Sequence, residues 1–187
     1  MGYRVDDWVV HPQHGVGRVV KLEVRQFGPG TKQRYYEISI PTGTIWVPVD
    51  GPPNALRRLT SKGELGRYRG LLRSRPTALA SDHRQRQLAL VERLRESSLQ
   101  ARCEVVRDLT AHSWLKPLNE SSGTLLRNAR QVLCAEWAAA EGLSLAEAAH
   151  EIEALLVEGR KLHEKQGLGA ASAAAGARSA SSAIRRH

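Results

Sequence analysis

The sequence predicts a two-domain α+β protein, a small antiparallel β barrel followed by a helical bundle, and three observations carry that prediction. Residues 1–59 hold most of the Tyr and Trp and alternate apolar with polar side chains in strand fashion. From Ser61 the apolar spacing changes to three and four residues, as in Leu65, Tyr68, Leu71 and Leu72. Between the two patterns stands Gly51-Pro52-Pro53-Asn54, a cluster that marks the exit from the first domain. The expected units are a barrel over 1–59, a helical domain over 60–166 and a tail over 167–187.

The first element comes from Val9-Val10-His11-Pro12-Gln13-His14-Gly15-Val16-Gly17. Val9 and Val10 favour extended backbone, Pro12 fixes φ near −65° and removes a ladder donor, and Gly15 and Gly17 permit positive φ before Arg18-Val19-Val20 resumes a strand. His11 and His14 belong to this turn, where a hydrogen-bonding role is expected ahead of metal binding. Strands over Arg18–Arg25 and Gln33–Ile40 joined at Gly28-Pro29-Gly30, then a strand over Gly43–Val49 after Pro41-Thr42-Gly43, give four or five strands of an SH3-like or Tudor-like barrel.

The helices follow from their caps. Asp82 is placed to cap a helix over 83–96, Ser98 one holding Val105, Val106 and Leu109, and Asn119 one holding Leu125, Leu126, Ala129, Leu133 and Trp137. Ser144 with Glu147 three residues later forms a capping box for a helix carrying Ile152, Leu155 and Leu156. Residues 167–187 are rich in Gly, Ala and Ser and nearly free of large apolar side chains, which predicts disorder.

Composition bounds the function. A chain of 187 residues with 41% hydrophobic content supports two small cores, and a net charge of +9 favours a polyanionic partner. Most of that charge is Arg, whose planar fork of donors suits phosphate, which leans the reading towards nucleic acid. Cys103 and Cys134 sit far apart inside apolar helical patterns, as buried thiols of a reducing cytosol do, and match neither a zinc site nor a disulfide framework. No apolar run approaches the ~20 residues of a membrane helix, and the N-terminus lacks the order of a signal peptide. A cytoplasmic protein is expected, with no membrane partner.

No enzyme is expected either. The sequence lacks a phosphate-cradling glycine loop, a nucleophile elbow, a metal-spaced cluster and an acid pair, and His112, His150 and His163 are isolated. No cofactor or metal follows from it. Trp8 is expected to pack the barrel or its junction with the helices, Trp137 the helical core, and Trp114 either covers that core or reaches DNA.

The turn motif, Val5-Asp6-Asp7-Trp8 before it, and Tyr35-Tyr36-Glu37-Ile38 and Trp46-Val47-Pro48-Val49 after it resemble the N-terminal signature of the CarD/CdnL transcription regulators, a module shared with the transcription-repair coupling factor. The helical part resembles the same family through Glu104-Val105-Val106-Arg107-Asp108-Leu109, Leu118, Leu126, Ala129-Arg130 and Leu133, so the likeness spans roughly residues 3–158. Each motif is weak alone; their order and spacing across two domains are specific. The resemblance implies a monomeric, non-enzymatic regulator that binds the RNA polymerase β-subunit lobe with its barrel and promoter DNA with its helices. Its effect would be on open-complex stability at the upstream edge of the bubble, which makes it nucleoid-associated.

In that family an edge strand pairs with the polymerase, a mode in which main-chain bonds supply affinity. The matching strand runs from Thr44 through Ile45, Trp46, Val47 and Pro48 to Val49, and Arg25 matches a basic contact position. Trp46 stands where other members carry Arg or an apolar side chain, so a less ionic contact is expected. The family's DNA wedge is a tryptophan; counting back from Glu104 without a gap, it falls on His83. Imidazole has less apolar area with which to fill an unstacked base step.

Ten arginines (Arg67, Arg69, Arg73, Arg75, Arg84, Arg86, Arg93, Arg95, Arg102 and Arg107) face only four acids between 67 and 107. Contacts of such residues to DNA phosphates hold register and weaken with salt. Arg84 and Arg86, beside His83, rank first, and Arg127 and Arg130 follow, while Arg107 is expected to pair with Asp108. The competing reading is a partner-binding module without DNA wedging. Convergence of Arg84, Arg86 and Arg130 on one exposed face would favour DNA, and scatter would favour the module.

Overall fold

The computed structural model describes residues 2–26, 31–52 and 55–183, with side chains through Glu164. The Gly28-Pro29-Gly30 turn, Pro53-Asn54 of the exit cluster and Ile184 to His187 of the tail lie outside the described residues. Five strands come first: β1 (Trp8–His11), β2 (Gly15–Arg25), β3 (Gln33–Ile40), β4 (Gly43–Pro48) and β5 (Arg57–Arg58). A single 3-10 turn over Lys62–Glu64 leads into α1 (Leu65–Arg73), α2 (His83–Arg95), α3 (Leu99–Leu115), α4 (Glu120–Glu141) and α5 (Leu145–Ala183). The fold class is α+β, an antiparallel sheet followed by helices.

The turn motif builds the β1–β2 hairpin. Gly15 adopts φ +74°, and His11 Nδ1 accepts from the backbone N–H of Gln13 (3.1 Å) and His14 (3.3 Å), so the histidine closes the turn. Gly17 is required for a different reason: a Cβ there would stand 2.6 Å from Ile38 Cγ2 and 2.9 Å from the Ser39 carbonyl oxygen. The adjacent valines are both buried although they point to opposite faces. Val9 joins Val19, Tyr36, Ile38, Val47 and Leu56 in the sheet core, and Val10 lines the junction with the helices beside Arg57 and Ser97.

Two expectations are corrected here. The strands form one open sheet in the order β4-β3-β2-β1-β5, and not a closed barrel. β5 is two residues long and pairs with β1, so among the described residues nothing returns to close on β4. Trp8 is 49% exposed: its register opposite Arg18 turns it away from Val9 and the sheet core, and among the described residues it joins neither core.

α3 is the central helix of the bundle and is buried on nearly every side. Val105, Val106 and Leu109 pack with Leu65, Leu72, Leu90, Leu133, Trp137, Ile152 and Leu156 in one core. The caps form as the local sequence dictates: Asp82, Ser98 and Asn119 accept from Gln85, Ala101 and Ser122, and Ser144 with Glu147 closes its capping box. α5 approaches α1 so closely that a Cβ on Gly159 would lie 2.7 Å from the Arg73 carbonyl oxygen. Its backbone stays helical to Ala183, so the described part of the 167–187 tail continues the helix where composition predicts disorder. The alanine-rich stretch supplies the highest intrinsic helix propensity.

A buried carboxylate joins the sheet to the helices. Glu136 of α4 is fully buried and accepts from both terminal guanidinium nitrogens of Arg57 at 2.6 Å and from the Thr60 hydroxyl at 2.8 Å. Arg102, itself 5% exposed, stands 3.8 Å away, and burial lowers its pKa against the pull of Glu136. Arg57 also donates to the Ser97 carbonyl (2.7 Å), as does Arg102 (3.2 Å). Ser97 holds φ +52°, a conformation sparse for serine, and these two bonds fix it at the turn between α2 and α3.

Candidate docking edge and nucleic-acid interface

Among the described residues β4 is an edge strand, paired only with β3. The Val49 amide donates to the Arg34 carbonyl at 2.9 Å, which sets the phase of the ladder. With Tyr36 opposite Val47 and Ile38 opposite Ile45, antiparallel alternation turns the N–H groups of Val47 and Ile45 towards β3 and those of Thr44 and Trp46 outward. Pro48 falls at the next outward position, where a missing N–H costs the ladder nothing. The side chains divide likewise: Ile45 and Val47 pack on the core, whereas Thr44 and Trp46 are exposed on the opposite face.

Trp46 does not extend past the edge. Its indole N–H donates to Glu23 Oε1 (3.3 Å) on β2, which carries the ring back across β3, and the Arg25 guanidinium lies 4.5 Å from the ring centroid. Glu23 also accepts from Lys21 Nζ (2.8 Å) and from Arg25 Nε. The Lys21 hydrogen bond, and then Arg25, hold the Glu23 carboxyl below the usual range. Arg25 and Trp46 are therefore brought together, through a residue that the sequence analysis did not single out.

His83 and Arg84 are exposed in the first turn of α2. Arg86 is not: at 8% exposure it donates to the carbonyls of Ala80 (2.8 Å) and Ser81 (3.2 Å), so it anchors the loop that enters the helix. The same loop is held from α3. Buried Asp108 accepts from the Thr77 amide (2.9 Å), from Arg107 (2.8 Å) and from Arg93 of α2 (3.2 Å). Arg107 in turn donates to the hydroxyls of Ser74 (2.6 Å) and Thr77 (3.2 Å).

Most of the arginine run is committed in this way. Arg69 bonds Glu151 (2.6 Å) and Glu141 (3.1 Å), Arg73 pairs with Glu158 (3.1 Å), Arg95 with Glu92 (2.9 Å), and Arg67 donates to Gln100 (2.8 Å). Arg75 and Arg84 are exposed with no partner among the described residues. Arg127 is exposed and bonded to Thr124 (2.8 Å), and Arg130 is half-buried in an ion pair with Glu153. Arg84, Arg86 and Arg130 thus do not form one exposed stripe.

What the structure does assemble is smaller. The α2 start lies near the end of α3, where His112 has its pKa lowered by burial and by the neighbouring Arg86 and Lys116. A groove lined by Gln87 of α2 and by Thr124, Leu125 and Asn128 of α4 runs beside it. Arg84 stands one turn from Gln87 and Arg127 one turn from Thr124. Leu88, 72% exposed, shares the outer stripe of α2 with Arg84.

Comparison with known proteins gives these features a context. Residues 3–60 match the family model described as CarD-like/TRCF RID domain, an RNA polymerase-interacting domain, and residues 69–153 match CarD, C-terminal domain. The two matches follow each other in order and together cover most of the chain. The chain belongs to the CarD-like family. A Bacillus subtilis (strain 168) relative named "Putative transcription factor YdeB" is 27% identical over 145 residues, covering 76% of this CarD-like chain and 94% of the relative.

Within the CarD-like chain, the described residues hold no cluster of three or more His, Cys, Asp or Glu that would bind a metal, and no described helix is long and apolar enough to cross a membrane. Burial pushes the Cys103 thiol far up and raises that of Cys134, which disfavours the reactive thiolate at both. Glu23, Glu136 and Lys116 are the residues that sequence reading missed. Only Glu23 left a signal, its strand alternation with Lys21 and Arg25 on one face.

Proposed function

We propose that this CarD-like protein docks on the β subunit of RNA polymerase through the outward edge of β4 and presents the start of α2 to promoter DNA, modulating open-complex stability. The observation that carries the reading is the β4 edge itself: Thr44 turns its N–H away from β3, outward from the sheet, on the domain that matches the polymerase-interacting family. An extended segment added there gains main-chain bonds, with Trp46 and Arg25 beside it. DNA contact rests on His83 and Arg84, with Arg75, Lys116 and Arg127 as further exposed cations and with Arg86 and Arg130 as supports. Binding of a cytoplasmic monomer to polymerase and to nucleoid DNA, without catalysis, is the activity proposed.

Phosphate contacts by this few cations make weak, salt-dependent binding. His83→Ala with Arg84→Ala is expected to lower affinity for a forked promoter duplex and to reduce the slope of log K against log salt by about 1–2, since each lost phosphate contact removes about 0.9. Equal slopes for variant and wild type in a fluorescence-anisotropy titration would place the DNA face elsewhere. A second reading, docking on polymerase without a productive DNA contact, is favoured by one observation: of Arg84, Arg86 and Arg130, only Arg84 is exposed. The same titration separates the two.

A further inference from the structure

The three donors on Glu23 go beyond what a surface ion pair requires. Lys21, Glu23 and Arg25 alternate along β2 and share a face with Trp46, and the Glu23 carboxylate gathers both cations and the indole N–H. Glu23 is on β2 and Trp46 on β4, so this link spans β3. Two consequences follow from the geometry. The indole lies over the sheet, clear of the backbone groups at the β4 edge. Lys21 and Arg25 face Glu23 and Glu37, which stands directly opposite both Lys21 and Trp46, and Arg18 further along the same face pairs with Asp6, so the cations there are matched by carboxylates.

We propose that Glu23 is a positioning residue for the docking edge, and that β4 accordingly receives an uncharged extended segment, through main-chain bonds and the exposed part of the indole, in preference to an acidic one. This rests on the docking role proposed for β4 and adds the chemistry of the segment that fits it. An acidic segment would have to compete with Glu23 for Arg25 and Lys21, and Glu37 would repel it. An apolar side chain next to β4 instead meets the Trp46 ring, whose orientation is already fixed, so less side-chain freedom is lost on binding.

Two substitutions separate placement from charge. Glu23→Gln keeps an acceptor oxygen for the indole N–H and gives the face a net positive charge; Glu23→Ala removes both. Binding of the full-length protein to core RNA polymerase without DNA is measured at low and at moderate salt. The indole N–H resonance of Trp46, assigned by its loss in Trp46→Phe, is recorded for the free proteins. Glu23→Ala is expected to shift that resonance and to weaken binding about tenfold, about 1.4 kcal/mol. Glu23→Gln is expected to bind within about twofold of wild type at both salts, because exposed charges act on an uncharged segment only weakly.

Severalfold tighter binding of Glu23→Gln at low salt would mean an acidic partner and overturn the proposal. So would wild-type affinity in Glu23→Ala, or an unmoved indole resonance. Failure of the wild type itself to bind polymerase, with the resonance still responding to Glu23→Ala, overturns the docking role of β4 and the proposal with it, leaving the Glu23 link as a feature of the sheet alone.

Discussion

Glu136→Ala lowers the stability of the folded protein by about 3 kcal/mol, a large loss for a substitution outside the apolar core. Its carboxylate is fully buried and takes two 2.6 Å bonds from Arg57 and one from Thr60, so removing it leaves Arg57 and the nearly buried Arg102 without a counter-charge. Breaking a buried pair by deleting one partner typically costs 3–5 kcal/mol; the lower end applies because the Arg57 side chain keeps 28% of its surface in water. The expected readout is a fall in melting temperature of about 10 °C. Glu136→Gln, which keeps the acceptor and the shape, loses less. A change below 1 kcal/mol for Glu136→Ala would mean that the junction between sheet and helices is solvated. The lock has a functional side as well, because Arg57 binds both α4 and the Ser97 turn that ends α2. Loosening it frees the docking edge to move relative to the helix proposed to meet DNA.

Asp108→Ala is expected to cost about 3–4 kcal/mol by the same mechanism. Asp108 is 1% exposed and accepts from Arg107, Arg93 and the Thr77 amide, all of which lose their anion together. The damage is directional. Arg107 and the Thr77 amide hold the loop from Ser74 to Asp82, and that loop fixes where His83 and Arg84 begin α2. At a temperature where the variant remains folded, its affinity for forked DNA falls while polymerase binding through β4 is retained. Urea unfolding followed by circular dichroism gives the stability term, and the two binding assays give the split. Equal loss of both binding activities would place the Asp108 network under the whole fold.

What was readable in the sequence is what short-range physics decides. Asp82, Ser98, Asn119 and Ser144 each cap from within three residues, so their helix starts follow from local residue types alone. The β1–β2 turn is local too, held by Gly15 and His11. The edge position of β4 came from the family resemblance, with Pro48 at an outward position agreeing with it, and the pairing of Arg107 with Asp108 was legible through adjacency. Barrel closure was not, since it depends on how far β5 extends after the exit cluster, and β5 is two residues long.

The arginines show the limit most clearly. A guanidinium near a helix start satisfies itself on phosphates or on carbonyls. Arg86 took the carbonyls of Ala80 and Ser81 because the preceding loop folds under it, a conformation set by Asp108 more than 20 residues later. Glu136, among alanines on α4, reads as a surface residue until Arg57, 79 residues earlier, is brought against it. Long-range charge pairing leaves no periodic signal, and in this protein it consumes most of a basic segment that composition assigns to DNA.

The central claim is that regulation requires docking through β4, and the most direct test is the lifetime of the open complex on a weak promoter with cognate RNA polymerase. Wild type is compared with Thr44→Pro, which removes an outward N–H from the edge while leaving the bonds between β3 and β4 intact. Wild type is expected to change the lifetime, and Thr44→Pro, folded by circular dichroism, to have lost that effect at the same concentration. A lifetime changed equally by both proteins, or unchanged by wild type bound to polymerase, would contradict the account.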